Sequence, residues 1–403
     1  MKRTILTITL IWSLLNMSAQ TKILGFKPEI EPYVSFINEQ HSDPISYLLD
    51  KYKTYDVIVF GERDHRDITQ YYFIEKLINT EDFYNQVSVI YTEVGSSNYN
   101  DTLNRILQNT SLSIEEVDKL LVGIYRDISY QAFWDKYNFF YLWKIVFKFN
   151  QLHPDFPISI KMTSHPFNWN EITDTSICRI KTNEVEENYD KSMAEYFLNS
   201  FQKQQDHDRN KAFVIMNYPH SLRKWTSQKN VTYERMFGTY INKELSDRVF
   251  YVIVNPYNIN SFQPVADGKW DAAFKYCENK KIGFDFKNSP FGKDTFDVWS
   301  ANGILSFEEL YDGMIFINPT SECENVIGIP GFIDRKFAKE YLRRIKLRMY
   351  IYTGVEYKTK KKWEKKSCNN IRTRTVHDDI KDMYGNDASK YFDTIVNKWL
   401  IFE

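Results

Sequence analysis

Two glutamates and three histidines stand just after short apolar runs in this chain, and side chains of these types can move protons. After Val57–Phe60 comes Gly61-Glu62-Arg63-Asp64-His65-Arg66-Asp67, and after Val87–Tyr91 comes Thr92-Glu93. Ile158–Met162 leads to Ser164-His165-Pro166, and Ala212–Met216 to Asn217-Tyr218-Pro219-His220. A histidine can take a proton from water or a hydroxyl near neutral pH, and a neighbouring carboxylate fixes its tautomer and stabilises its charged form. A second carboxylate and a second histidine could hold a substrate, shuttle the proton or bind a metal. Each residue alone has a plainer explanation: Gly61 a tight turn, Asp64 a helix N-cap, His165 and His220 ordinary loop histidines. It is their convergence on one edge of one sheet that points to chemistry.

That convergence depends on the elements that carry the residues. Val57–Phe60, Val87–Tyr91, Ile158–Met162, Ala212–Met216, Val249–Val254 and Met314–Ile317 have the length and the β-branched or aromatic content of buried strands, and helical patterns separate most of them. The alternation predicts an α/β fold with a largely parallel sheet flanked by helices. In such a sheet ligands bind beyond the carboxyl ends of the strands, where loops converge and helix N-termini point inward. Ile68, Tyr72, Ile74, Leu77 and Ile78 mark one side of a helix between the first two strands. An aromatic-rich helical block over about 114–150 is expected to pack on the sheet or cap the cleft. Beyond Asp334, Phe337, Tyr341 and Ile345 with Arg and Lys between them read as a basic amphipathic helix, and Lys358–Lys366 as an exposed loop.

Lys2 and Arg3, the apolar run Ile5–Leu15 and Ser18-Ala19-Gln20 read as a secretory signal cleaved after Ala19. The expected organisation is a signal over 1–19, an α/β domain over 20–334 and a basic helical extension over 335–403, in an exported, periplasmic or secreted protein. Of 52 Lys+Arg and 53 Asp+Glu, the signal takes two positive charges, which leaves a net of −3. Residues 335–403 hold 18 Lys+Arg against 9 Asp+Glu. A nucleic-acid partner is not expected; a weak contact of the basic tail with an anionic envelope surface is admitted by this asymmetry, and a solvated helical face is the plainer reading. Cys178, Cys277, Cys323 and Cys368 are widely spaced with no Cys-x-x-Cys pair, which disfavours a zinc knuckle and leaves one or two disulfides open. No Gly-x-Ser-x-Gly elbow, phosphate-binding glycine loop or His-Glu-x-x-His motif occurs. Water activated by His and Glu is the reading that stays.

The segment Val57–His65, a helix and then Val89-Ile90-Tyr91-Thr92-Glu93 resembles the Gly-Glu-x-x-His, helix, strand-Glu opening of the erythromycin esterase family. Further segments resemble that family in the same order: Trp143 and Asn150, Met193-Ala194, Lys211–His220, Met236-Phe237-Gly238-Thr239-Tyr240 and Tyr311–Phe316. The likeness spans roughly residues 50–320. It implies an active site lined by Glu62, His65, Glu93 and His220, with His65 the general base that activates water on an ester or lactone carbonyl of a small molecule. Asn217, Arg66 and His165 are the expected substrate-binding residues. No cofactor is expected, although ChaN-type haem-handling proteins and TIKI/TraB-type metalloproteases share a comparable opening, which admits a divalent metal or haem, or a non-catalytic envelope protein on the same fold. The chain departs from the esterase pattern at Met216, in the place of a histidine, and at Tyr189-Asp190, in the place of an Arg-Asp pair. Arg63 and Arg66 are the candidates to replace that arginine.

Overall fold

The structure, a computed structural model, describes residues 22–205, 207–226, 234–299, 305–358 and 361–403, with side chains of 361–364 outside the description. The expected signal over 1–19 lies outside the described residues.

Seven strands form one sheet: β1 (Val57–Glu62), β2 (Val87–Ser96), β3 (Ser159–Ser164), β4 (Lys211–Asn217), β5 (Val249–Val254), β6 (Ile282–Asp285) and β7 (Gly313–Phe316). Across the sheet they run β3-β2-β4-β1-β5-β7-β6, and every neighbouring pair is parallel except β7 with β6. All six expected strands are present. The seventh, β6, is a four-residue antiparallel edge strand, too short to show a period-2 pattern. The central strand β1 is buried throughout, as near-continuous apolar runs should be when helices cover both faces. Val57 and Val59 pack into the core on one face while Ile58 and Phe60 pack into the core on the other, which is the alternation of a pleated strand.

Four strands run past their expected ends, β3 to Ser164 and β4 to Asn217 among them. β1 continues through Glu62 and β2 through Ser96, so Glu62 and Glu93 are strand residues and not loop residues. The Glu62 main chain is fixed by the ladder, in register with Asn217 on β4, whereas Glu93 lies in the irregular stretch of β2 between Thr92 and Ser96.

The helices that matter to the site are α1 (Thr69–Ile78), α2 (Ile114–Tyr125), α3 (Tyr137–Leu152), α4 (Tyr189–Gln204), α5 (Phe237–Leu245) and α6 (Ala338–Thr353). The expected block over 114–150 is two helices. Ser113 starts α2 with a reciprocal capping box to Glu116. Residues 126–136 then leave helical geometry and cross the carboxyl edge of β2, where the Ser96 amide donates to the Ile128 carbonyl at 2.8 Å. Trp143 and Asn150 are buried structural residues on α3, and the Asn150 amide bonds the main chain of Leu107 and Ile158.

The C-terminal region departs from the expected solvated face. On α6, Arg344 and Arg348 turn inward: Arg344 pairs with Asp127 and Glu340, and Arg348 lies over the Tyr130 ring. The chain then returns to the body through Arg372–Thr375, antiparallel to Glu324–Ile327, and Leu400–Phe402, antiparallel to Ile23–Phe26. Most of the expected loop Lys358–Lys366 is helical, within Lys361–Asn369; a run of Lys, Trp and Glu has adequate helix propensity and no breaker. The four cysteines are free thiols. No helix among the described residues is long and apolar enough to cross a membrane.

Candidate active site

Glu62 ends β1, and the turn after it is built by its own polar side chains. Asp64 accepts the Arg66 amide at 2.8 Å, and Gln70 accepts the Arg63 amide at 2.7 Å through its side chain. Asp64 is thus a turn-former and not the cap of α1. Gly61 is required by close packing, because a Cβ there would lie 2.9 Å from Ser221 Oγ and 3.2 Å from the Val252 carbonyl. The turn presents His65 to the carboxyl edge of the sheet, between the rings of Trp134 at 5.4 Å and Phe139 at 5.6 Å. The interhelical segment and α3 therefore do cap the cleft.

Around His65 the polar side chains form an alternating chain. His65 Nδ1 is 2.8 Å from Glu62 Oε2, and His65 Nε2 is 3.4 Å from Glu93 Oε1. The same Glu93 Oε1 is 3.4 Å from His220 Nε2, and His220 Nδ1 is 2.8 Å from Asp190 Oδ1. The order is Glu62, His65, Glu93, His220, Asp190. Each ring is anchored closely through Nδ1, and each turns a more loosely held Nε2 toward one shared carboxylate. Glu93 is itself fixed by the Asn217 amide, which donates to its Oε2 at 2.8 Å.

The electrostatics follow from this arrangement. Burial works against a charged His65, but Glu93 and Glu62 outweigh it and push its pKa up to about 10. His220 is likewise pushed up to about 9, burial being outweighed by Glu93 and Asp190. Burial would raise Glu93, yet His220 and His65 hold it at about 2. Glu62 is raised, mainly by burial; its Oε1 lacks a well-formed hydrogen bond, and the Tyr71 hydroxyl, also without one, lies beside it.

Asp190 was absent from the residues expected to form the site. It sits in the first turn of α4, where it also accepts the Phe237 amide at 2.7 Å at the start of α5. Its only sequence signal is the Tyr189-Asp190 pair, in which the aspartate of the resembled Arg-Asp pair is kept. Tyr189 packs edge-on against His220 at 5.6 Å, so an uncharged ring takes the arginine's place. Met216 is wholly buried in the apolar core, where a histidine would need a polar partner.

The expected substrate-binding residues divide differently. Asn217 joins the cluster, but its amide is used internally, on Glu93 and, through Nδ2 at 3.2 Å, on the Glu62 carbonyl. The Arg66 guanidinium binds Asp64 and Asp379 and lies over Phe262, and so is turned away from the chain of glutamates and histidines. Arg63 is fully buried and bonds Asp67, Thr69, Asn318 and the Asn255 carbonyl, so it is a structural ion pair and not a replacement clamp. His165 is half-buried after β3 and forms no ion pair with either glutamate. No group of three or more His, Cys, Asp or Glu among the described residues is arranged to hold a metal ion; the ring nitrogens of His65 and His220 face carboxylates instead.

His220 is held by its main chain as well, since its carbonyl accepts the Gly238 amide at 2.8 Å. A Cβ on Gly238 would meet the Leu222 carbonyl and lie 2.7 Å from the Ser221 carbonyl. Gly238→Ala is expected to cost about 1–3 kcal/mol, because backbone must move, and to displace His220. Denaturant unfolding together with turnover checks this; an unchanged midpoint would show that the turn yields freely.

No family model and no curated protein matches the chain. Three solved structures align with parts of the chain. A Bacillus cereus protein aligns over 71% of this chain and 96% of its own at 10% identity and TM-score 0.43. A succinoglycan biosynthesis protein aligns over 74% and 94% at 11% identity and TM-score 0.40. The type III effector HopBA1 aligns over 59% and 88% at 11% identity and TM-score 0.31.

Proposed function

We propose that the protein is a hydrolase of erythromycin esterase type, exported from the cytoplasm, in which a histidine of the Glu62-His65-Glu93-His220-Asp190 chain activates water on an ester or lactone carbonyl of a small molecule. The observation that carries this reading is the sharing of one carboxylate oxygen, Glu93 Oε1, by two anchored histidines. With Glu62 ionised, it accepts from His65 Nδ1–H and leaves Nε2 as the base nitrogen, the tautomer a general base needs. His220, anchored on Asp190, supplies the matching acid. When the pair has released one proton, His220, at about 9 against about 10 for His65, is the ring more often neutral, and the productive form is the minor one with the proton exchanged across Glu93: His65 Nε2 takes the proton of the attacking water and His220 Nε2–H donates toward the carbonyl or leaving oxygen. Glu93, ionised between them, stabilises whichever ring is charged. Trp134 Nε1, buried beside His65 without an acceptor, is a further donor for the carbonyl oxygen.

This reading makes the pH profile distinctive. Both histidines hold their protons above the ordinary range, so the form with one neutral ring appears as pH rises toward about 9. On an ester or lactone found by screening, kcat/KM should rise to a maximum between about pH 9 and about pH 10 and fall above it, and not level off near pH 6.5. Glu93→Gln removes the charge that raises both rings; its ascending limb should move to lower pH while the maximum falls. A wild-type limb near 6.5, or a Glu93→Gln limb moved to higher pH, would contradict the assignment.

A further inference from the structure

The amino-terminal edge of the sheet, opposite the histidines, carries a groove of about 480 Å³ lined by the starts of β2 and β3 and by α4. Its charged walls are Lys161, Lys203 and Arg209, with His207 at hand and Asp208 as the one acidic residue lining it. Lys161 Nζ donates to Ser200 Oγ at 2.6 Å and lies over the Tyr91 ring. Arg209 is anchored on the carbonyls of Pro157 at 3.0 Å and Val87 at 2.7 Å, and its buried Nε–H has no acceptor. Ser159 and Gln108 add a hydroxyl and an amide to the same walls.

The groove gathers three cations on one surface. Several buried or half-buried cations elsewhere meet carboxylates: Arg63 meets Asp67, Arg344 meets Asp127, and Lys211 and Arg248 both meet Asp56. None of Lys161, Lys203 and Arg209 pairs with a carboxylate among the described residues. A partly desolvated cation without a counter-ion is unfavourable, and the unfavourable free energy is relieved when an anion enters. Burial and Lys203 lower the Lys161 pKa and outweigh the opposing charge of Asp101, and burial lowers that of Arg209.

We propose that this groove binds a phosphoryl group, free or at the end of a small phosphomonoester. A tetrahedral dianion has enough oxygens to accept from Lys161, Lys203 and Arg209 together, with the Ser159 or Ser200 hydroxyl completing the set, and charge-assisted bonds of this kind are the strong ones. The groove is separate from the histidine chain. Ser88 at its wall and Glu93 in the cluster are five residues apart on β2, roughly 16 Å along an extended strand.

The test is calorimetric titration of the whole protein, in a low-salt buffer without phosphate, with inorganic phosphate, glucose 6-phosphate and acetate. One-to-one binding of phosphate or of glucose 6-phosphate, and none of acetate, is expected; the tighter of the two identifies the source of the phosphoryl group. Lys203→Gln, an exposed position, and Lys161→Met, which keeps the buried stem, should each weaken binding about tenfold or more, the effect of one lost charge-assisted bond. His65→Ala should bind as the wild type does, whether or not the protein proves to be a hydrolase. Absence of saturable binding at millimolar phosphate, wild-type affinity in both lysine variants, or loss of binding in His65→Ala would each overturn the proposal.

Discussion

His65→Ala should lower turnover by about 10²–10⁴, the range of a lost general base, while the protein stays folded. The reason is positional. His65 stands in a turn whose shape is set by Asp64, Asp67 and Gln70, and its ring bridges the Glu62 and Glu93 carboxylates. The variant leaves two buried carboxylates without their shared cation, so some stability is lost, and melting curves must accompany the rates. Added imidazole should restore part of the activity in His65→Ala and none in a variant whose fold has failed. Full activity of His65→Ala on a substrate that the wild type hydrolyses would place the chemistry elsewhere.

The largest effect on stability is expected at Arg63. Its guanidinium is fully buried, 2.6 Å from the equally buried Asp67 carboxylate, and it ties the turn after β1 to Asn318 and to the end of β5 at Asn255. Arg63→Ala removes one partner and leaves the other charge desolvated, which costs about 3–5 kcal/mol. Arg63→Met with Asp67→Asn removes both charges and should be less destabilised than the two single variants added together. Guanidinium unfolding of the wild type, the three single variants and the double variant measures the difference. A loss below about 1 kcal/mol for Arg63→Ala, the level of an exposed pair, would mean that the turn does not depend on the ion pair. A guanidinium this enclosed cannot also serve as the substrate clamp for which Arg63 was a candidate.

Much of the architecture was legible because burial on both faces writes parallel strands as plain apolar runs. Glu62 and Glu93 were found by the same logic, although both lie on their strands and not beyond them. The edge strand β6 was hidden because four residues carry no usable period. Asp190 was hidden because its role depends on α4 meeting α5 beside His220, a contact between segments that no local pattern encodes. Arg66 and His165 failed to join the cluster for a related reason. Being near a strand end places a residue on the right edge, but Asp64 and Asp379 decide where the Arg66 side chain goes. In the C-terminal region, periodicity located α6 but not its depth: Arg344 and Arg348 are buried by partners on distant segments.

The claim on which the account rests is that Glu93 couples His65 and His220 into one acid–base unit. Histidine-selective NMR titration tests it without any substrate. Both rings should remain protonated well above pH 7.5, with transitions toward about 10 for His65 and about 9 for His220, and Glu93→Gln should lower both together. Two independent transitions near 6.5 in the wild type, or a Glu93→Gln shift confined to one ring, would contradict it.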